Sequence, residues 1–140
     1  GVNFTRANLK RATLQKISAP FADFTGANLS GARFDKADLS SASLEETEAN
    51  EANFSEANLD RIRGEAMQAQ KTLFLRPRLT AAEFPHAKLD LADFGQADLS
   101  GANLHAISEI GTKWDLATLK DVRRTNKDRL AAETWTTKED

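Results

Sequence analysis

The sequence predicts an all-β solenoid, a chain wound into stacked coils around a narrow apolar core. Three observations predict it: a strict five-residue period, large apolar side chains confined to one position of that period, and no competing helical or strand alternation. Dividing the chain into fives from Val2 to Asp121 gives 24 windows. The first position is Ala in 15 of them, and the third is Leu, Phe or Trp in 19. Seven of the eight Phe residues (Phe4, Phe24, Phe34, Phe54, Phe74, Phe84 and Phe94) occupy that third position. The second position is often Asn or Asp, as in Ala7-Asn8-Leu9 and Ala22-Asp23-Phe24. A small residue two places before a large one puts both on one side of a short extended segment. The polar remainder then makes a turn facing water. Four such segments per coil enclose a narrow core.

Composition limits what such a chain can do. Nineteen Lys and Arg against 21 Asp and Glu leave a net charge of −2, which excludes a strongly basic nucleic-acid binder and a uniformly acidic surface. Without Cys there is no disulfide framework, thiol nucleophile or thiolate metal site. No apolar run approaches the roughly 18 residues of a membrane helix, so no membrane association is expected. The chain starts at Gly1 rather than Met, which leaves room for a removed targeting segment or a larger parent chain. The cytoplasm is the favoured compartment.

Nine windows match Ala-(Asp/Asn)-(Leu/Phe) in full, and the frame is unbroken from residue 2 to 121. In this the sequence resembles the pentapeptide-repeat family, whose consensus is Ala-(Asp/Asn)-Leu-x-x. The resemblance implies a right-handed quadrilateral (square) β-helix. At 20 residues per coil the 24 windows make about six coils. At roughly 4.8 Å per layer the rod is about 29 Å long. Residues 20 apart then stack. Leu14, Phe34, Phe54, Phe74, Phe94 and Trp114 form one column, and Leu39, Leu59, Leu79, Leu99 and Leu119 another. Phe34, Phe54, Phe74, Phe94 and Trp114 are read as structural core, each contributing roughly 1.5–3 kcal/mol by burial.

Five windows lack a large third residue: those with Ala19, Ala49, Gly64, Ala69 and Glu109. Four of them carry a large first residue instead, namely Ile17, Ile62, Met67 and Ile107. Exchanging large and small between the two inward positions conserves core volume. Residues 62–71 are therefore expected in the coil, the rival reading being an inserted helical turn. Only Thr47 to Ala49 lacks compensation, which predicts a small void or a local inward bend.

The β-helix is expected over residues 1–121, with a C-terminal capping helix and tail over 122–140. Good helix formers dominate that tail, and Leu130, Ala131 and Trp135 are its sizeable apolar group. The N-terminal end shows no cap, since Val2-Asn3-Phe4 already lies in frame. Either the chain was cut there from a longer one, or that end meets a partner or a second copy, the second copy giving a homodimer through a rod end.

No catalytic constellation is found, and no cofactor is expected. The two His residues, His86 and His105, occupy outward positions 19 apart, with Glu83 and Asp90 the carboxylates that could join them on a metal. On a convex wall without a pocket they are read as solvated side chains, so no metal site is expected. Asp23, Asp38, Asp93 and Asp98, at second positions, are read as turn formers.

Charge is banded along the chain. Residues 1–22 carry +4, residues 38–60 carry −7, residues 61–82 carry +4, residues 83–109 carry −4 and residues 110–132 carry +3. The candidate interaction surface is Glu45, Glu46, Glu48, Glu51, Glu56 and Asp60 with Arg61, Arg63, Arg76 and Arg78. Such banding sets register and orientation against a polar partner. The expected function is a non-catalytic scaffold or protein–protein interaction module, with a protein partner and no nucleic acid. The resemblance also implies two alternatives. One is a DNA-mimicking protector of gyrase, the other a bacterial effector-linked or photosynthetic-organelle repeat protein.

Overall fold

The computed structural model describes residues 1–139, with side chains through residue 134. Its organising feature is a parallel bridge between each second-position residue and the residue 20 further on, from Asn3 with Asp23 to Asn103 with Arg123. The bridges fall into four columns, starting at Asn3, Asn8, Thr13 and Ser18. The chain is a β-helix whose coil takes 20 residues. Arg63 pairs with Ser43 and Glu83, and Gln68 with Glu48 and Lys88, so residues 62–71 lie in the coil.

The five-residue motif follows from accounting for its five backbone N–H groups. The window Asp23 to Gly26, closed by Ala27, shows how. The second-position N–H of Asp23 donates to Val2 O in the preceding coil at 2.8 Å, and the third-position N–H of Phe24 donates to Ser43 O in the next at 2.9 Å. The fifth-position N–H of Gly26 donates to Glu45 O at 2.9 Å, and the N–H of Ala27 returns to Phe24 O at 2.9 Å. That leaves the fourth N–H, of Thr25, which donates to Asp23 Oδ1 at 2.9 Å. Asn or Asp at the second position therefore has a backbone task. The same bond links Asp38 to Ser40, Asp93 to Gly95 and Asp98 to Ser100.

The return bond from the first position closes a turn whose third residue has positive φ, the arrangement of a type II turn. Every fifth position, from Arg6 to Asp121, takes that conformation. Twenty of these corners are not glycine, with φ between 55° and 63°, and four are Gly26, Gly31, Gly101 and Gly111. An L-residue there costs about 1–2 kcal/mol, offset by the corner N–H bond to the next coil. Corners also explain why Phe21, Leu91 and Leu116 are exposed despite being apolar. Gly31→Ala is expected to lower stability by about 1 kcal/mol. Its Cβ would meet the Arg11 side chain at 3.3 Å and sit at φ +67°. Ser30→Ala, one residue earlier, should stay within about 0.5 kcal/mol. Paired urea titrations would read the difference.

The core lies on the axis. Phe34, Phe54, Phe74 and Phe94 are fully buried and stack ring on ring, with centroids 4.5–5.3 Å apart. Trp114 continues the column 4.6 Å from Phe94 but is only half-buried, and its other face lies 5.8 Å from the Arg124 guanidinium. Thr47 and Ala49, where a void or bend was expected, are fully buried in an unbroken register. Met67 lies one coil above Thr47 and brings apolar volume to that column, and the Thr47 hydroxyl donates to Leu44 O at 2.9 Å.

After the last bridge the chain turns into one helix, α1, Lys127–Glu139. Asn126 caps it, its Oδ1 accepting the Arg129 N–H at 2.9 Å. The side chain of Trp135, expected to join Leu130 and Ala131, lies outside the described residues, as does Asp140.

Candidate functional site

Two regions of the surface gather chemistry-bearing side chains. The first is the banded wall. The coil places Arg63 3.9 Å from Glu45, Arg76 3.7 Å from Glu56 and Arg78 2.6 Å from Asp60. The acidic band and the basic band above it thus interlock rather than standing as separate belts. Asp60, whose side chain is 9% exposed, also accepts the Thr80 N–H and hydroxyl, at 2.9 and 2.7 Å. Among the described residues, Glu46, Glu48, Glu51 and Arg61 make no ion pair. Glu46, Glu51 and Arg61 stand on outward corners, and Glu48 projects from the wall between them.

The second region lies at the foot of α1. A cleft of about 530 Å³ opens there, lined by Asn103, His105, Thr125 and Asn126 with Arg123, Arg124 and Arg129. The expectation of a pocketless wall fails at this point, because α1 stands beside the coil and walls off space against it. Each arginine also has a carboxylate partner: Arg123 with Glu83 at 3.0 Å, Arg124 with Glu109 at 3.4 Å and Arg129 with Glu133 at 3.3 Å.

Beside the cleft the two histidines meet. Their rings stand edge to face, 5.3 Å apart. Neither Glu83 nor Asp90 joins them. Glu83 pairs with Arg123, and Asp90 accepts the Ser108 hydroxyl and the Ile110 N–H, both at 2.7 Å. The carboxylate between the rings belongs to Glu133 on α1, with Oε2 3.0 Å from His86 Nε2 and Oε1 2.9 Å from His105 Nε2. Hydrogen bonds from His105 and then His86 hold the Glu133 carboxyl down at about 2, against burial acting the other way. The reading of both histidines as solvated is corrected for His105. Its side chain is 3% exposed because the chain around Asn126 and α1 covers it. The Asn126 N–H donates to His105 Nδ1 at 3.0 Å, which assigns the imidazole proton to Nε2, facing Glu133. Sequence reasoning missed Glu133 because it lies beyond the periodic frame, where spacing says nothing about which coil a side chain reaches.

The chain matches the family model described as pentapeptide repeats in eight copies, over residues 3–40, 37–61 and 78–106. A comparison with curated protein sequences gives no match. Among solved structures, the chain is similar to a pentapeptide repeat protein from the Arabidopsis thaliana thylakoid lumen, at 25% identity and a TM-score of 0.53. That match covers 75% of this chain and 66% of the other, so this chain spans just under two thirds of its length. It is also similar to HetL, a pentapeptide repeat protein involved in heterocyst differentiation regulation from the cyanobacterium Nostoc. There the identity is 22% and the TM-score 0.38, over 86% of this chain and 60% of HetL. QnrB1, a plasmid-mediated fluoroquinolone resistance protein, is 15% identical with a TM-score of 0.34, over 97% of this chain and 93% of QnrB1. The matched repeats cover more than half of the chain and the fold is a right-handed β-helix solenoid, so the chain belongs to the pentapeptide-repeat family.

Proposed function

We propose that this chain is a non-catalytic scaffold, a quadrilateral β-helix of about six coils that binds a protein partner through its banded wall. In this reading residues 1–121 form the rod, and the segment from 122 to 140 finishes its C-terminal end. Pentapeptide-repeat proteins are generally non-catalytic structural or binding proteins, which supports the first part. The observation that carries the second is the interlocking of the charge bands. Arg63, Arg76 and Arg78 are engaged by Glu45, Glu56 and Asp60, while Glu46, Glu48, Glu51 and Arg61 project without an ion pair among the described residues. Such a surface offers a partner a few charges in fixed register, suited to orientation rather than to bulk attraction.

Mimicry of DNA is the weaker reading. A duplex carries one negative charge per about 1.7 Å of axis, and a competitor for its groove needs negative potential over a comparable length. Here the acidic band is met one coil away by arginines in contact with it, well inside a Debye length of about 8 Å. In a gyrase supercoiling assay the protein is expected to give no inhibition at micromolar concentration and no relief from a quinolone. The variant carrying Glu45→Gln, Glu46→Gln, Glu48→Gln and Glu51→Gln should keep its circular dichroism spectrum and lose a salt-sensitive protein partner in pull-downs. Salt-sensitive gyrase binding abolished by those four changes would replace the scaffold reading with mimicry.

A further inference from the structure

Two imidazoles and a carboxylate converge beside α1, and the chain has no other histidine. One ligand atom from each of His86, His105 and Glu133 can be chosen so that all three lie within 4.8 Å of one another. We propose that these three side chains form a zinc-binding site that ties α1 to the wall of the β-helix.

The donor set fits that ion. Zinc takes imidazole nitrogen and carboxylate oxygen at about 2.0–2.2 Å, so tetrahedral neighbours stand about 3.3 Å apart. The two nitrogen–oxygen distances, 3.0 and 2.9 Å, run to different oxygens of Glu133, so on a single ion the carboxylate turns one oxygen towards both rings while the imidazoles draw together. His105 is the fixed ligand, being 3% exposed. His86 and Glu133 are each 34% exposed, and Glu133 Oε2 also meets Arg129 Nε at 3.3 Å. Three protein ligands leave the fourth position to water. Two nitrogen donors disfavour magnesium and calcium, which prefer oxygen.

One bond must yield. The Asn126 N–H now donates to His105 Nδ1, so the imidazole proton sits on Nε2. A metal on Nε2 moves that proton to Nδ1, where it faces the Asn126 N–H. Metal-bound histidines normally donate from their second nitrogen, so the Asn126 amide has to turn towards solvent. Asn126 is exposed and precedes the first turn of α1, which allows the turn. Zinc and the start of the helix are therefore coupled, and the Asn126 amide reports on the ion.

The test is calorimetric titration of zinc chloride into the whole chain, with magnesium chloride as control and the Asn126 amide followed by NMR. The expected result is one zinc per chain, no magnesium heat, and an Asn126 resonance that moves with the same stoichiometry. Glu133→Gln and His86→Ala should each weaken binding at least tenfold with unchanged circular dichroism. Both sit at partly exposed positions and leave the buried His105 itself in place. No zinc uptake by the parent chain, or uptake unchanged in both variants, would reduce the cluster to a hydrogen-bonded clasp and overturn the proposal.

Discussion

Phe54→Ala is expected to lower folding stability by about 3–5 kcal/mol, the range for truncating a buried Phe. The ring is fully buried between Phe34 at 5.2 Å and Phe74 at 5.3 Å, nearly parallel to both. Its neighbours cannot close over the gap. The coils above and below are held in register by bonds such as Phe54 N–H to Leu73 O at 2.8 Å and Asn53 N–H to Ala32 O at 2.9 Å. Collapse would break ladder bonds, so most of the cavity persists. Glu56→Ala, two residues on, removes a side chain that is 43% exposed and meets Arg76 at 3.7 Å. A surface pair of that kind is worth about 1 kcal/mol at most. Urea titration of both variants checks the contrast. Equal losses would mean that Phe54 does not face the axis.

The rod was legible in the sequence because one constraint repeats. Each window must present a small and a large residue inward and turn a corner, so a frame of five survives local exceptions such as Met67-Gln68-Ala69. The role of Asn and Asp at second positions was legible as turn formation, while the bond that makes it necessary needed the full N–H accounting. The charge bands were visible, but not that they interlock. A signal was present, since Glu56 and Arg76 are 20 apart, and Glu45 with Arg63 and Asp60 with Arg78 are 18 apart. Scoring charges at the coil period would have found the first pair, and scoring two residues short of it the other two. Glu133 had no such signal. It lies after the period ends, and only the path of the chain past Asn126 brings it to His86 and His105.

Met67→Ala tests the rule by which the frame survives its exceptions. Met67 is fully buried at a first position, where Ala is the rule. Its column neighbours one coil below and above are Thr47 and Ala87, and the third residues of its own window and the one below are Ala69 and Ala49. Across those two coils, Met67 is the large side chain on this face. Its truncation leaves Thr47, Ala49 and Ala69 as the inward residues of this face in those two coils, and the ladder bonds of Gln68 N–H to Thr47 O at 2.9 Å and Lys88 N–H to Met67 O at 2.9 Å oppose collapse. The loss should therefore reach about 3–5 kcal/mol, the upper part of the range for Met→Ala. Met67→Leu, which nearly conserves volume, should cost less than about 1.5 kcal/mol. Adding Ala69→Leu to Met67→Ala restores the consensus order, small first and large third, and should recover most of the stability. If the double variant is no more stable than Met67→Ala, inward volume is not exchangeable between the two positions. The compensation rule would then fail for Ile17, Ile62 and Ile107 as well.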